Sequence, residues 1–258
     1  MNKFELNKLS SLHDGKKIFF SKIDFVSLDF EYINTLNNDV ILISGNGDFP
    51  IDDELIKQIP NNVKFWFGVN SLSYHPKLIA IPIGLENSYD CIRDNHGIGY
   101  KKAIEKDEII DSLDTSIVPN KLIYSNFLVD TNRTHRTPFK EISEKLPYID
   151  WEEPKLNTVE YLNNILNYEA VLCPAGNGVD THRLWEVLYM KRIPITVKIG
   201  NYKLYDLYEK LPILVLDNIS ELENEKFIID KINEIKNRTY DLSLLDLDFW
   251  KNKILNLI

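Results

Sequence analysis

Apolar residues in this chain fall into short runs bounded by glycine, proline or polar clusters. Lys17 to Phe20 is one such run, and Asp39 to Ser44 is a β-branched one (Asp-Val-Ile-Leu-Ile-Ser) that ends in Gly45-Asn46-Gly47-Asp48. Short continuous runs closed by turn residues predict strands buried on both faces. Asp52 to Ile59 predicts a short helix stopped by Pro60. Val63 to Val69, carrying Trp66 and Phe67, and Leu78 to Ile83, closed by Gly84, predict two more strands. Strands alternating with helices mark a parallel, wound sheet, because parallel neighbours need a long crossover.

Between Asp90 and Asn120 the pattern loosens, with Gly97, Gly99, a charged stretch from Lys101 to Asp107, and Pro119. This predicts a junction between an N-terminal lobe, 1–118, and a C-terminal lobe, 119–258. The second lobe reads as strand Lys121 to Phe127, loop Leu128 to Thr137, helix Pro138 to Leu146, helix Thr158 to Leu166 and strand Glu169 to Cys173. Helix Asp180 to Lys191, strand Ile193 to Val197, helix Tyr202 to Leu211, strand Ile213 to Leu216 and two closing helices follow. No repeat with a period of 20 to 50 residues is visible, which disfavours a solenoid or propeller.

At 258 residues, 44% hydrophobic and 27% charged, the chain has the composition of a globular protein. Its formal charge of −9 argues against broad binding to nucleic acid, which calls for excess Lys and Arg. Any phosphate is therefore held locally. The N-terminus carries no export signal, and no apolar run approaches the roughly 20 residues that cross a bilayer. The two cysteines form no disulfide framework, so the expectation is a cytoplasmic protein without a transmembrane segment.

The chemistry concentrates in Ala170 to Val197, where a strand runs through a glycine-containing turn into a helix and on to a second strand entered at Pro194. In open α/β sheets such a turn lies at the carboxyl end of a strand, where ligands bind. Gly176 and Gly178 let backbone N–H groups approach an anion, and the following helix adds unpaired donors and a partial positive charge. Arg183 offers a guanidinium fork for a diphosphate. Glu186, three residues on along the same face, is spaced for ribose hydroxyls. An Arg–Glu surface ion pair explains the same spacing, and Asp180 reads best as a helix N-cap.

The run from Gly176, Asn177 and Gly178 through Asp180-Thr181-His182-Arg183 and Trp185-Glu186, with Arg192-Ile193-Pro194-Ile195 behind it, resembles the donor-binding signature of exostosin-like glycosyltransferases and their bacterial and viral relatives. Ser44 to Asp48, Trp66 to Asn70, His75 to Leu78, Pro82 to Asn87 and Leu122 to Phe127 also resemble segments of that group. The resemblance implies a GT-B-like fold, with two Rossmann-like lobes of parallel sheet and an interlobe cleft. Because the chain is short for that plan, the N-terminal, acceptor-side lobe would be trimmed. A nucleotide-diphosphate sugar would be held by the C-terminal lobe, with Arg183 on the diphosphate and Glu186 on the ribose. The Gly176–Gly178 turn, with Asn177, would meet the phosphates or the sugar. A glycan or glycoconjugate would be the acceptor.

Inverting transfer needs a group to take the acceptor's proton. Asp48, on the loop after Ser44, and Glu86, in the turn after Gly84, are the candidates; a turn cap explains Asp48 equally well. The segment after Phe127 offers Asn132, Arg133, His135 and Arg136 as pyrophosphate contacts or as a solvated basic loop. Asp246-Leu247-Asp248 matches an Asp-x-Asp metal motif, but its place suits a helix start, so no obligatory metal or other cofactor is expected. The resulting expectation is a metal-independent glycosyltransferase. The rival is a non-catalytic nucleotide- or glycan-binding protein of the same fold.

Overall fold

The computed structural model of the chain describes residues 1–88, 99 and 101–257. Cys91, Gly97 and the start of the expected junction lie outside the described residues. In chain order the elements are β1 (Ile18–Lys22), α1 (Val26–Ile33), β2 (Val40–Gly45), α2 (Asp53–Ile56), β3 (Val63–Gly68), β4 (Leu78–Ala80), α3 (Lys101–Ser112), β5 (Lys121–Ser125) and α4 (Arg133–Lys145). Then come β6 (Ile149–Trp151), α5 (Thr158–Ile165), β7 (Tyr168–Leu172), α6 (His182–Tyr189), β8 (Ile193–Val197), α7 (Leu204–Tyr208), β9 (Leu214–Leu216), α8 (Glu225–Asn237) and α9 (Leu247–Leu255). The protein is α/β, with two Rossmann-like sheets whose named strands all pair in parallel.

Two compact units divide the chain. The first comprises Met1–Ile104, Asn201–Leu207 and Leu242–Ile258; the second comprises Glu105–Gly200 and Tyr208–Asp241. Where the sequence suggested one junction at 118/119, the chain leaves the first unit inside α3 and returns to it twice.

The first unit explains the second return. Its sheet runs β1-β2-β3-β4, and right-handed crossovers that always step the same way put every connection on one face. There Phe30 and Ile33 of α1 pack with Phe19, Leu42 and Trp66. The other face needs a separate cover, and residues 4–12 and α9 supply it. Phe4, Leu6, Leu9 and Trp250 are buried, the Phe4 and Trp250 rings meet edge-on at 6.4 Å, and a Cβ at Gly45 would collide with Leu6. The Leu247 amide donates to the Asn2 carbonyl at 2.8 Å. Asp246 caps α9 by accepting from the Asp248 amide at 2.9 Å, as its helix-start reading requires.

In the second unit the order is β6-β5-β7-β8-β9. The first crossover runs from β5 to β6; the next passes back over β5 to β7. With right-handed connections, α4 therefore lies on one face and α5 and α6 on the other. Side-chain alternation agrees. Ile123, Ala170, Leu172, Ile193 and Ile195 share a core with Phe139 and Ile142 of α4 and Ile228 and Ile232 of α8, whereas Tyr124 turns to Tyr161 of α5 at 6.4 Å. The direction of winding reverses between β5 and β7, and in such sheets the crevice beyond the carboxyl ends at that point is where ligands bind.

Candidate functional site

Two loops meet at this reversal, one after β5 and one after β7. Asn132 caps α4 by accepting from the His135 amide at 3.3 Å, and its Nδ2 donates to the Gly176 carbonyl at 2.7 Å. Arg136 donates from Nε to the Ala175 carbonyl at 3.0 Å and from Nη1 to the Leu128 carbonyl at 2.8 Å. The sequence suggested a loop as far as Thr137. The Asn132 cap instead starts the helix at Arg133 and carries Pro138 inside it, so His135 and Arg136 have fixed backbone positions. Arg133 points elsewhere: its side chain is 76% exposed and pairs with Asp130 at 2.7 Å.

Arg136 is short of negative charge. Among the described residues its hydrogen bonds go to carbonyls, and it lies 5.8 Å from the centre of the Phe127 ring. Burial and the neighbouring Arg183 pull its pKa down to about 10, which leaves it charged at neutral pH and favours an incoming anion. Gly176 is packed against it, since a Cβ there would stand 3.0 Å from Nη2 of Arg136.

α6 begins at His182, two residues later than the sequence suggested, with extended Thr181 at the N-cap and no side-chain cap bond. Asp180 does not cap it. Its Oδ1 accepts from Trp185 Nε1 at 2.8 Å and from the Tyr208 hydroxyl at 2.7 Å, so the carboxylate is used to anchor the helix. Arg183 consequently lies in the first turn. Asn177 is exposed, while Gly178, Thr181 and His182 are half-buried beside it. Leu184, Trp185, Val187 and Leu188 are buried, as their pattern required.

Arg183 is held by Tyr161. Its Nη1 donates to the Tyr161 hydroxyl at 2.8 Å, and the guanidinium lies 4.8 Å from the centre of the Tyr161 ring. Burial works against its charge, but Tyr161, Glu186 and Cys173 outweigh it and raise the pKa. Glu186 is 4% exposed and forms an ion pair with Lys106 of α3 at 2.7 Å. Burial alone would push its carboxyl up; Lys106 and Arg183 reverse this and hold it below the usual carboxylate range. Cys173 sits in the same cluster with its thiol pushed up to about 12 by burial, so it is not a nucleophile there.

Three members of this cluster carry no local sequence signal for it. Lys106 lies in the charged stretch between the expected lobes, and Tyr161 comes from the helix before β7. Glu152, which accepts from the Tyr124 hydroxyl and from Asn164 Nδ2, follows a three-residue strand that carries no recognisable period. α5 itself lies where the sequence places a helix, Thr158 to Leu166, and opens with a capping box between Asn157 and Glu160; nothing local to Tyr161 marks it as a partner of Arg183.

Asp48 and Glu86 belong to the first unit. Asp48 is exposed on the loop after β2, and Glu86 is half-buried. Their loops are joined by a closed ring. The Asn7 amide donates to Asn87 Oδ1 at 2.9 Å, Asn87 Nδ2 donates to Asn46 Oδ1 at 2.8 Å, and Asn46 Nδ2 donates to Asn7 Oδ1. Asn46 has φ 58°, a left-handed conformation that asparagine tolerates better than most residues.

A cavity of about 870 Å³ in the second unit opens at the β6 edge among Lys121, Asp150, Trp151 and Tyr168. Lys121 and Tyr168 begin their strands whereas Trp151 and Glu152 lie at the other end of β6, so this cavity runs along the β6 edge from the amino to the carboxyl ends. Among the described residues no helix is long and apolar enough to cross a membrane.

No protein-family model matches the chain, and no curated protein matches it. Among solved structures it is similar to an α1,3-fucosyltransferase with GDP-fucose, with 14% identity over 92% of this chain and 90% of that one and a TM-score of 0.39. It is also similar to a UDP-GlcNAc 2-epimerase from Methanocaldococcus jannaschii, with 12% identity over 98% of this chain and 80% of that one and a TM-score of 0.41. Likeness at this level carries no activity from either protein to this one.

Proposed function

We propose that this chain is a cytoplasmic, metal-independent glycosyltransferase of the exostosin-like kind, moving a sugar from a nucleotide-diphosphate sugar to a glycan hydroxyl with inversion. The observation that carries this reading is the gathering of Arg136 and Arg183 at the reversal between β5 and β7, against the Gly176 turn and the start of α6. Two guanidiniums beside a glycine turn and a helix start suit a diphosphate better than a single phosphate or carboxylate. Glu186, ionised and fixed by Lys106, retains acceptor capacity for ribose hydroxyls.

In the reaction the acceptor oxygen attacks the anomeric carbon as the bond from that carbon to the diphosphate oxygen breaks. The acceptor's proton passes to a carboxylate, for which Asp48 is the first candidate and Glu86 the second. Arg136 and Arg183 take up the charge left on the departing nucleoside diphosphate.

The test is a thermal-shift panel of nucleotide sugars and nucleoside diphosphates, followed by donor hydrolysis and transfer with the best binder. A ligand at 100 times its Kd stabilises the fold by about 2.7 kcal/mol. Stabilisation with turnover, both lost in a folded Arg183→Ala variant, supports the enzyme. Binding without turnover returns the chain to the non-catalytic reading, and no binding to any member sinks both.

A further inference from the structure

A second cavity of about 340 Å³ opens at the carboxyl ends of the same sheet, within the roughly 300 to 1,000 Å³ usual for small-molecule sites. Thr134, His135 and Pro138 of α4 form one wall; Lys198, Asp217 and Ile219, beyond β8 and β9, form the other. It lies on the α4 face, opposite the face where Arg183 stacks on Tyr161. Ala175 connects the two: it lines the cavity, and its carbonyl accepts from Arg136.

We infer that this cavity receives the transferred sugar. The inference rests on the reading of the Gly176 turn as a diphosphate site. With ribose at Glu186 on one face and the diphosphate at the turn and Arg136, the other end of the donor continues over the carboxyl end of β7 past Ala175 into the cavity. Its chemistry suits a hydroxyl-bearing ring. The Thr134 and His135 side chains have no hydrogen-bond partner among the described residues, Lys198 and Asp217 pair at 3.0 Å, and Pro138 and Ile219 give apolar surface for the ring's C–H face. The cation and anion balance, so a neutral sugar fits better than an acidic one.

The experiment measures, by calorimetry, binding of UDP, GDP, pyrophosphate, UDP-glucose, UDP-N-acetylglucosamine, GDP-mannose and GDP-fucose to the wild-type chain and to Thr134→Trp and Lys198→Trp, which fill the cavity from opposite walls. The expected result is that each variant weakens the nucleotide sugar that the wild type binds by about tenfold or more, with the matching nucleoside diphosphate unchanged. Unaltered nucleotide-sugar binding in both variants overturns the inference, and so does equal weakening of sugar-bearing and sugar-free nucleotides. A wild-type chain that binds neither nucleoside diphosphates nor pyrophosphate refutes the diphosphate site itself, and the inference with it.

Discussion

Lys106 and Glu186 form an almost enclosed ion pair, with 2.7 Å between Nζ and Oε1 and side-chain exposures of 13% and 6%. The carboxylate that the sequence points to as a ribose ligand is thus already held ionised by a lysine from the α3 stretch.

Replacing that lysine exposes how much depends on it. Lys106→Met leaves Glu186 buried without its ion pair, and the expected loss is about 3 kcal/mol at pH 7. Because the folded pKa of Glu186 lies below its ordinary value, the pair's contribution is complete above the unfolded pKa, about 4.3, and disappears as pH falls through the lower folded value. Urea unfolding of wild type and variant from pH 7 to pH 3 should show the difference shrinking on acidification. A constant difference would mean that the lysine stabilises through packing alone.

Asp180 satisfies two buried donors, Trp185 Nε1 and the Tyr208 hydroxyl. Asp180→Ala removes the acceptor from both and should cost about 2 to 4 kcal/mol. Asp180→Asn keeps one acceptor oxygen and should cost distinctly less. The midpoints of denaturant unfolding, at unchanged slope, distinguish the two; equal losses would contradict the anchoring role.

Gly176 is not among the residues with positive φ, so an alanine there meets steric rather than backbone resistance. Its Cβ would stand 3.0 Å from Arg136 Nη2. Gly176→Ala should therefore cost only about 1 kcal/mol of stability while weakening UDP or GDP binding about tenfold, or about 1.4 kcal/mol. Titration calorimetry beside a melting curve separates the effects, and undiminished affinity would place the diphosphate elsewhere.

At Asn46 a pair of substitutions separates backbone from side chain. Asn46→Gly tolerates φ 58° but opens the asparagine ring, whereas Asn46→Ala opens the ring and strains the backbone as well. Alanine should be the less stable of the two by about 1 kcal/mol. If the ring positions the loops of Asp48 and Glu86 for turnover, both variants lower kcat with Kd for the nucleotide unchanged. Normal kcat in the glycine variant would make the ring purely structural.

The strands were legible because burial on both faces writes itself into a sequence as uninterrupted apolar runs, as in Val40 to Ile43 and Ala170 to Leu172. The glycine turn and α6 were legible for a related reason: close backbone approach and an apolar helix face each demand residue types at fixed local spacing. Short elements were lost. β6 has only three residues, and the start of α4 was hidden because Pro138 is a stronger local signal than the asparagine that caps the helix.

The sequence by itself determined that the chain alternates strand and helix, and that a glycine-containing turn follows one of the buried strands, because both facts are set within a few neighbouring residues. Only the tertiary structure decided which strands are neighbours, and hence that the winding reverses between β5 and β7. It also decided that Asp180 anchors a tryptophan and a tyrosine, and that Lys106 and Tyr161 complete the cluster around Arg183 and Glu186. These relationships join residues tens of positions apart, and burial, charge neutralisation and hydrogen-bond satisfaction select them only once the chain has packed.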